Sequence, residues 1–340
     1  MIKEAIARLF TEEPLSEAES KHVAEEIMSG EATPAQIASF ITALRMKGET
    51  VENILGFVRV MREKATPIAV PEGVPILDTC GTGGDGSGTF NISTAAALIC
   101  AAGGVKVAKH GNRGVSSKCG SADVLEALGI KIDIPPEASA RILDELNFCF
   151  LFAPLYHKAM KYAIGPRREI AIRTIFNLIG PLSNPAKATC QVVGVFNTNL
   201  VETFARTLAG LGTRRALVAH GSAGMDELSL VSASAIAELK TDGSIDFYPV
   251  EPGELGLKSC DIWDLVGGDA SQNAAIIEGI FKGAKSPKTD AALLNAGAGL
   301  YIADKCDSIK EGIQLAREII NSGAPIKLIA GLREMTNSVL

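Results

Sequence analysis

Five glycines fall within eight residues of the segment Asp78-Thr79-Cys80-Gly81-Thr82-Gly83-Gly84-Asp85-Gly86-Ser87-Gly88-Thr89-Phe90-Asn91-Ile92-Ser93-Thr94. Glycine at 81, 83, 84, 86 and 88 leaves the backbone free to adopt positive φ and opens its N–H groups to an anion. The apolar residues before the segment read as a strand, and the small residues Ala95 to Ala102 read as a helix. Asn91, Ser93 and Thr94 therefore fall where that helix begins, so its unpaired N–H groups and positive dipole end add to the anion site. The chemistry such a segment serves is the holding of phosphate. Gly81, Gly83 and Gly86 also satisfy G-x-G-x-x-G after a strand, the dinucleotide fingerprint. That fingerprint wants an acidic residue about 20 positions on to bind a ribose hydroxyl. No Asp or Glu stands between Asp85 and Asp123, whereas Lys106, Lys109, Arg113 and Lys118 do. The interval carries only positive charge, which suits a ligand with more than one phosphate group better than a nicotinamide dinucleotide.

Three further motifs carry groups that bind phosphate, ribose or metal. Lys109-His110-Gly111-Asn112-Arg113-Gly114-Val115-Ser116-Ser117 mixes cations, an amide and hydroxyls. Gly165-Pro166-Arg167-Arg168-Glu169 is followed by Arg173-Thr174-Ile175-Phe176-Asn177 and Gly180-Pro181-Leu182-Ser183-Asn184-Pro185. His220-Gly221-Ser222-Ala223-Gly224-Met225-Asp226-Glu227-Leu228-Ser229 holds two adjacent carboxylates in a glycine-containing loop. Taken alone, Asp226-Glu227 reads as a solvated loop. Beside a polyphosphate-type loop and a basic loop, the pair reads as hard oxygen ligands for Mg²⁺.

These residues need elements to position them. The chain has 340 residues, 47% of them hydrophobic, enough for two domains and a large core. Its net charge of −6 argues against general binding to nucleic acid or to a membrane surface. The longest uncharged apolar run, Ala95 to Val105, is too short to span a bilayer, and Lys3, Glu4, Arg8, Glu12 and Glu13 interrupt any signal-peptide pattern. The expected compartment is the cytoplasm. Seven cysteines form no C-x-x-C pair and read as reduced, with Cys80 and Cys119 packed beneath the glycine and basic motifs.

The first 65 residues read as short amphipathic helices. Ser16 with Glu19 forms a capping box, Thr33-Pro34 with Gln36 forms a second start, and Glu49-Thr50 precedes a helix over Val51 to Lys64. Ile37, Phe40, Ile41 and Leu44 give one such helix a stripe to bury. Pro67, Pro71 and Pro75 mark a linker. Buried strands are expected at Pro75 to Cys80, Val105 to Lys109, Lys131 to Ile134, Phe148 to Phe152, Gln191 to Phe196 and Arg215 to His220. Helices are expected around Ser271 to Lys282, Lys288 to Asp304 and Ile309 to Ser322, with no chemistry concentrated in that last third. The class is α/β, a mainly parallel sheet flanked by helices in a large domain plus a small all-α domain. Binding residues should gather at the carboxyl ends of the strands.

The four motifs, in this order along nearly the whole chain, resemble those of the anthranilate phosphoribosyltransferases, within the nucleoside phosphorylase and phosphoribosyltransferase class. KHGNR with VSS is shared in looser form with the nucleoside phosphorylases, whereas RTIFNLIGPLSNPA and HGSAGMDELS are specific to the anthranilate enzymes. The resemblance implies a small helical domain over residues 1–66, joined by helices from about 155–190, and a large α/β domain over 72–340. It implies phosphoribosyl pyrophosphate binding by Gly81, Gly84, Asp85, Thr89, Asn91, Ile92, Ser93, Thr94, Lys109, Ser117 and Ser121. Mg²⁺ would sit on Ser93, Asp226 and Glu227. Anthranilate would lie near Gly81, Asn112 and Arg167, where a guanidinium can bond both carboxylate oxygens; either Arg167 or Arg168 could point inward.

The reaction so implied is attack of the aryl amine on ribose C1 as pyrophosphate leaves, with inversion, a step of tryptophan biosynthesis. Fixed charge on the leaving group, from Mg²⁺, Lys109 and loop N–H groups, governs the barrier. Lys109 and His110 are the catalytic candidates. A strong base is unnecessary, because an anilinium-type proton leaves readily, so His110 is read as a hydrogen-bonding or shaping group ahead of a general base. His157 could face the anthranilate site. A homodimer through the helical domain is also implied. A nucleoside phosphorylase of the same class is the rival reading, against which Asp226-Glu227 and Asn91-Ile92-Ser93-Thr94 argue. A non-catalytic homologue that binds nucleic acid would need a basic surface.

Overall fold

The computed structural model describes residues 1–11, 13–114 and 117–339. Four helices open the chain: α1 (Ile2–Phe10), α2 (Glu17–Ser29), α3 (Pro34–Lys47) and α4 (Val51–Lys64). Their starts follow from capping chemistry. Ser16 Oγ accepts from Glu19 N–H at 3.3 Å while the Glu19 carboxylate accepts from Ser16 N–H at 2.9 Å. Thr33 with Gln36 and Thr50 with Asn53 repeat the exchange. Each such cap is worth about 1 kcal/mol. Ile37, Phe40, Ile41 and Leu44 of α3 are buried, and Phe40 stacks on Phe57 of α4 with ring centroids 5.9 Å apart.

The second layer is a sheet with its helices. In chain order it comprises β1 (Ile76–Gly81), α5 (Ile92–Ala102), β2 (Lys106–Gly111), α6 (Ser121–Ala127), α7 (Pro136–Leu146), β3 (Phe148–Phe152), α8 (Ala153–Tyr156), α9 (Lys161–Ile170), α10 (Ile175–Leu178), β4 (Cys190–Gly194), α11 (Leu200–Gly210) and β5 (Arg215–Gly221). There follow β6 (Ser234–Leu239), β7 (Ile245–Val250), α12 (Ala270–Phe281), α13 (Pro287–Ile302), α14 (Ile309–Asn321) and α15 (Ala324–Asn337). The seven strands lie in the order β3-β2-β1-β4-β5-β6-β7. The first five are parallel, and β6 and β7 add an antiparallel edge.

The chain builds β1, β2 and β3 outward to one side and then returns to lay β4 on the other side of β1. That reversal makes the β1/β4 pair the switch point of an open sheet, the place where ligands bind outside the carboxyl ends of strands. The two strands end level, Gly81 opposite Gly194. One face of the sheet packs on α5 and α13, both rich in small buried residues. Val193, Val195, Ala216 and Val218 on the other face share a core with the N-terminal helices, α11, and Ile175 and Phe176 of α10. Phe176 meets Phe57 edge to face at 5.8 Å, which ties α10 to the opening helices.

Several expectations need correction. Lys131 to Ile134 is not a strand. Ile130, Ile132 and Ile134 alternate into the core, but Pro135 and Pro136 follow at once, and Lys131 N–H is taken by the Thr336 hydroxyl at 3.1 Å rather than by a sheet neighbour. The β6–β7 hairpin and α15 escape the sequence reading. The outer strand β7 is largely exposed and lacks a buried apolar run, while Gly323 and Pro325 resemble a turn although Pro325 sits harmlessly in the first turn of α15. Asp78-Thr79-Cys80, Lys109-His110-Gly111 and His220-Gly221 lie at the carboxyl ends of β1, β2 and β5.

Candidate active site

Strand alternation separates the side chains at the end of β2. Lys109 and His110 are neighbours and so point to opposite faces. On the α5 face, Lys109 is buried, its Nζ donating to the Thr79 carbonyl and to Ser93 Oγ at 3.3 Å. Thr79 Oγ1 in turn donates to the Ser93 carbonyl at 2.9 Å. Burial pushes the Lys109 pKa down, while Asp78, Cys80 and Glu227 push it up.

The Asp226-Glu227 loop lies across the ends of β1 and β4. A Cβ on Gly194 would fall 1.5 Å from the Asp226 carbonyl oxygen, and one on Gly81 would fall 2.2 Å from Asp226 Oδ2. Gly81 is therefore needed for close approach. The residues of the loop that do take positive φ are Gly83, Gly84, Gly86 and Gly88, so the expectation of such a backbone at Gly81 is corrected. Asp226 Oδ2 accepts from Gly83 N–H at 2.6 Å, Asp85 Oδ2 accepts from Asp226 N–H at 3.2 Å, and Glu227 Oε1 accepts from Ser93 N–H at 3.2 Å. The glycine loop, the start of α5 and the β5 loop thus meet through three carboxylates.

These carboxylates repel one another in a dry setting. Burial and the Asp85 charge push the Asp226 carboxyl up to about 7, and burial with Asp226 raises Glu227 well above the usual range. Among the described residues no group of three His, Cys, Asp or Glu side chains is arranged to hold a metal unaided. The donor set nevertheless fits Mg²⁺, a hard cation that ordinarily takes one or two carboxylates and completes its shell with water and substrate phosphate. Two crowded buried carboxylates beside the Ser93 hydroxyl are what such a cation would relieve.

The remaining phosphate candidates surround this point. Asn91 is the N-cap of α5 with no side-chain cap bond. Ile92 buries its side chain in the core and gives its N–H to the Phe90 carbonyl at 2.7 Å, so the expectation that it binds phosphate is corrected: it offers no free donor. Thr94 donates to Ser121 Oγ at 3.1 Å. Thr89 lies within 3.4 Å of Ser87 Oγ, and Ser117 is exposed, with its hydroxyl on the Cys119 carbonyl at 3.2 Å. Val115 and Ser116 of the second motif lie outside the described residues. Of the four cations that give the 106–118 interval its charge, only Lys109 reaches the site. Lys106 binds the Leu143 and Asp144 carbonyls at the far end of β2, Arg113 pairs with Asp123 and Glu126, and Lys118 is exposed. Sequence separation concealed this, because the partners sit on α6 and α7.

The opposite face is built by other elements. Asp78 accepts from His110 N–H at 3.2 Å and from Asn184 Nδ2 at 2.8 Å, and Asn184 Nδ2 also reaches the Ala108 carbonyl at 2.8 Å. Burial pushes the Asp78 carboxyl up to about 6 against the pull of Lys109. Arg62 of α4 donates to the Leu182 carbonyl at 2.9 Å, linking the opening helices to the 180–185 motif. The His110 and His157 rings lie edge to face at 5.0 Å. Burial pushes His157 down to about 4 and His110 well below its ordinary value, with the neighbouring ring acting the same way on His110. Both rings are neutral at pH 7.

Arg167, at the end of α9, is half-buried with its guanidinium 5.3 Å from the centre of the Phe176 ring, whereas Arg168 is exposed. Burial alone lowers the Arg167 pKa, with no charged neighbour contributing. Asn112 is exposed just beyond β2, its carbonyl accepting from Ala122 N–H at 3.2 Å. Arg173, to which no local motif gives a role, donates to the Gly84 carbonyl and lies 4.1 Å over the Phe196 ring, so it fastens the glycine loop to the α9–α10 connection. Local sequence likewise gives Asp78 and Asn184 no role, since each finds its partner across the fold. A separate groove of about 660 Å³ between α11 and the β6–β7 edge, lined among others by Glu202, Phe247 and Tyr248, shares none of these residues.

The sequence matches the helical bundle domain of a glycosyl transferase family over residues 3–65 and the a/b domain of such a family over residues 73–326. Anthranilate phosphoribosyltransferase of Geobacter sp. (strain M21) is 53% identical over 99% of this chain and 99% of its own length. The chain belongs to the anthranilate phosphoribosyltransferase family. Among solved structures, anthranilate phosphoribosyltransferase from Thermus thermophilus is 43% identical, with a TM-score of 0.92 over 98% of this chain and 99% of that one. The Saccharomyces cerevisiae enzyme in complex with PRPP and Mg is 25% identical, with a TM-score of 0.91 over 99% of this chain and 98% of that one. Family membership bears out the α/β class with a helical N-terminal part.

Proposed function

We propose that the chain transfers the 5-phosphoribosyl group of phosphoribosyl pyrophosphate to the amine of anthranilate, giving N-(5-phosphoribosyl)anthranilate and pyrophosphate in tryptophan biosynthesis. The observation that carries this reading is the meeting of the glycine loop, Lys109 and the Asp226-Glu227 pair at the β1/β4 switch point, in a chain 53% identical along its whole length to an enzyme of that name.

The phosphate half would be Gly81, Gly84, Asp85, Thr89, Asn91, Ser93, Thr94, Lys109, Ser117 and Ser121. Lys109, held by Thr79 and Ser93, places a fixed positive charge beside the departing pyrophosphate, and charge that need not reorganise is the largest common source of rate. Ser93, Asp226 and Glu227 would hold Mg²⁺, which when bound neutralises pyrophosphate oxygens. Gly81, Asn112 and Arg167 would hold anthranilate, with the guanidinium fork on its carboxylate. The amine nitrogen forms its bond to C1 as the C1–O bond to pyrophosphate breaks, and the extra amine proton leaves to water or to pyrophosphate. His110, neutral and buried, shapes the pocket or donates a hydrogen bond. Orientation of the two reactants accounts for much of the acceleration, since effective molarities reach about 10⁵ M or more.

The same reading divides the chain into a helical domain, 1–66 with helices from about 155–190, and an α/β domain over 72–340. It carries a homodimer through the helical domain, where Phe10 and Met46 are exposed at 78% and 85%, and a cytoplasmic setting without nucleic-acid or membrane partners. Among the described residues no helix is long and apolar enough to cross a membrane.

The test is loss of anthranilate fluorescence on mixing the protein with anthranilate, phosphoribosyl pyrophosphate and Mg²⁺, each omitted in turn. Loss that needs all three is expected. A folded protein that leaves the fluorescence unchanged but cleaves nucleosides with phosphate would overturn the reading.

A further inference from the structure

Residues 265–273, beyond β7, reach the phosphate loop. Residues 88–90 and 265–267 form a short antiparallel ladder. Phe90 N–H donates to the Leu265 carbonyl at 3.0 Å, Gly267 N–H donates to the Gly88 carbonyl at 2.9 Å, and Thr89 stands opposite Val266. A Cβ at Gly267 would lie 2.7 Å from Phe90 Cα, so the two backbones are in direct contact.

Just beyond the ladder stands Asn273 of α12, 1% exposed. Its Oδ1 accepts from Gly268 N–H at 2.8 Å, and its Nδ2 donates to Asn91 Oδ1 at 2.9 Å. Asn91 Oδ1 also receives the Cys119 thiol at 3.3 Å, and Asn91 Nδ2 donates to the Cys119 carbonyl at 3.2 Å.

An asparagine amide keeps its shape when its oxygen and nitrogen exchange places, so its partners decide which end faces where. The chain of partners here has only one solution. Gly268 N–H can only donate, so Asn273 must turn its oxygen to it and its NH₂ to Asn91. Asn91 must then answer with its oxygen. One Asn91 N–H goes to the Cys119 carbonyl, which leaves the other for a ligand oxygen at the start of α5.

We propose that Asn273 is a positioning residue for phosphoribosyl pyrophosphate: together with the Cys119 carbonyl it fixes the Asn91 amide and so makes Asn91 a hydrogen-bond donor to an anionic oxygen. This rests on the placement of Asn91 in the phosphate half. A flipped Asn91 would turn carbonyl lone pairs toward phosphate, exchanging attraction for repulsion in a site where hydrogen bonds to charged groups are strong.

Five proteins test it: wild type, Asn91→Ala, Asn273→Ala, the double variant and Asn273→Asp, with binding of phosphoribosyl pyrophosphate and Mg²⁺ measured by titration calorimetry and KM measured for both substrates. Asn273→Ala should weaken phosphoribosyl pyrophosphate about tenfold and leave the anthranilate KM within about twofold. The double variant should bind no worse than Asn91→Ala, because Asn273 acts only through Asn91. Asn273→Asp keeps the shape and the acceptor for Gly268 but offers Asn91 only oxygen, so it should weaken binding at least as much as alanine. Its buried charge lowers the melting temperature, so every variant is titrated well below its own melting temperature, which guards against a simple loss of folding. Additive effects in the cycle, or Asn273→Asp binding within about twofold of wild type, would overturn the inference. Wild-type binding by Asn91→Ala would instead overturn the placement of Asn91, and the inference with it.

Discussion

On the α5 face of β2, Lys109 is gripped by the Thr79 carbonyl and Ser93 hydroxyl, and the nearby carboxylates accept from the main chain of Gly83, Ser93 and Asp226. On the other face, His110 Nε2 and both ring nitrogens of His157 have no hydrogen-bond partner among the described residues, and Arg167 rests on an aromatic ring rather than an acid. One half is therefore made of strand ends and loop amides whose polar groups already satisfy one another. The other is made of side chains contributed by β2, the α8–α9 region and α10. On the proposed function, a polyanion would be met by charge fixed before it arrives, as electrostatic preorganisation requires. A flat aromatic acid needs an apolar wall and a few convergent polar groups, as small-molecule pockets usually provide.

The largest effects should come from the preorganised half. Asp226→Asn with Glu227→Gln should lower kcat by about 10³-fold or more and abolish the steep dependence of rate on Mg²⁺. The same change removes like-charge repulsion from a buried site, so the double variant should melt at a higher temperature than wild type without Mg²⁺, activity and stability moving in opposite directions. An unchanged Mg²⁺ profile would remove both carboxylates from the assigned role.

The aromatic half should show its independence in substrate constants. Arg167→Ala should raise the anthranilate KM about 10- to 100-fold, the worth of a lost charge-assisted pair, while the KM for phosphoribosyl pyrophosphate stays near wild type. Equal losses for both substrates would erase the division between the halves. His110→Ala should act more mildly, on substrate constants alone. A fall in kcat of about 10²-fold or more, the least a general base supplies, would restore it as the base.

The two halves also differed in how far the sequence disclosed them. Residues 81–94, Lys109 and Asp226-Glu227 are legible because a strand end, a glycine loop and a helix start are local features and Lys109 closes the next strand. The contacts of Asp78 with Asn184, Arg173 with Gly84 and Asn273 with Asn91 each span 89 or more positions, and no local spacing predicts them. The misread strand at 131–134 has the same origin: its alternation of buried isoleucines is real, but a strand needs a neighbour, and α15 supplies a hydroxyl instead. Charge counting failed for Lys106 and Arg113 because their neutralising partners come from α7 and α6.

The last effect is read in stability rather than in activity and concerns pH. His157 is buried and its pKa in the folded chain is pushed down to about 4 from an ordinary 6.5. The unfolded chain therefore takes up the proton first on acidification, so the stability gained by keeping His157 neutral is complete above about pH 6.5 and is lost as pH falls through about 4. His110 titrates in the same direction. Asp78, behind it on the same face, titrates the other way, since its raised carboxyl favours the folded chain in acid and loses that benefit as pH rises through about 6. The opposing trends flatten the wild-type curve, so the informative quantity is the difference between wild type and His157→Gln, which cannot titrate. That difference should shift against wild type between pH 6.5 and 4 by on the order of 3 kcal/mol, read from urea unfolding at each pH. A difference that stays constant over this range would mean that the aromatic half admits enough water to solvate the imidazolium, and the contrast with the closed phosphate half would then lie in hydration rather than in unpaired side chains.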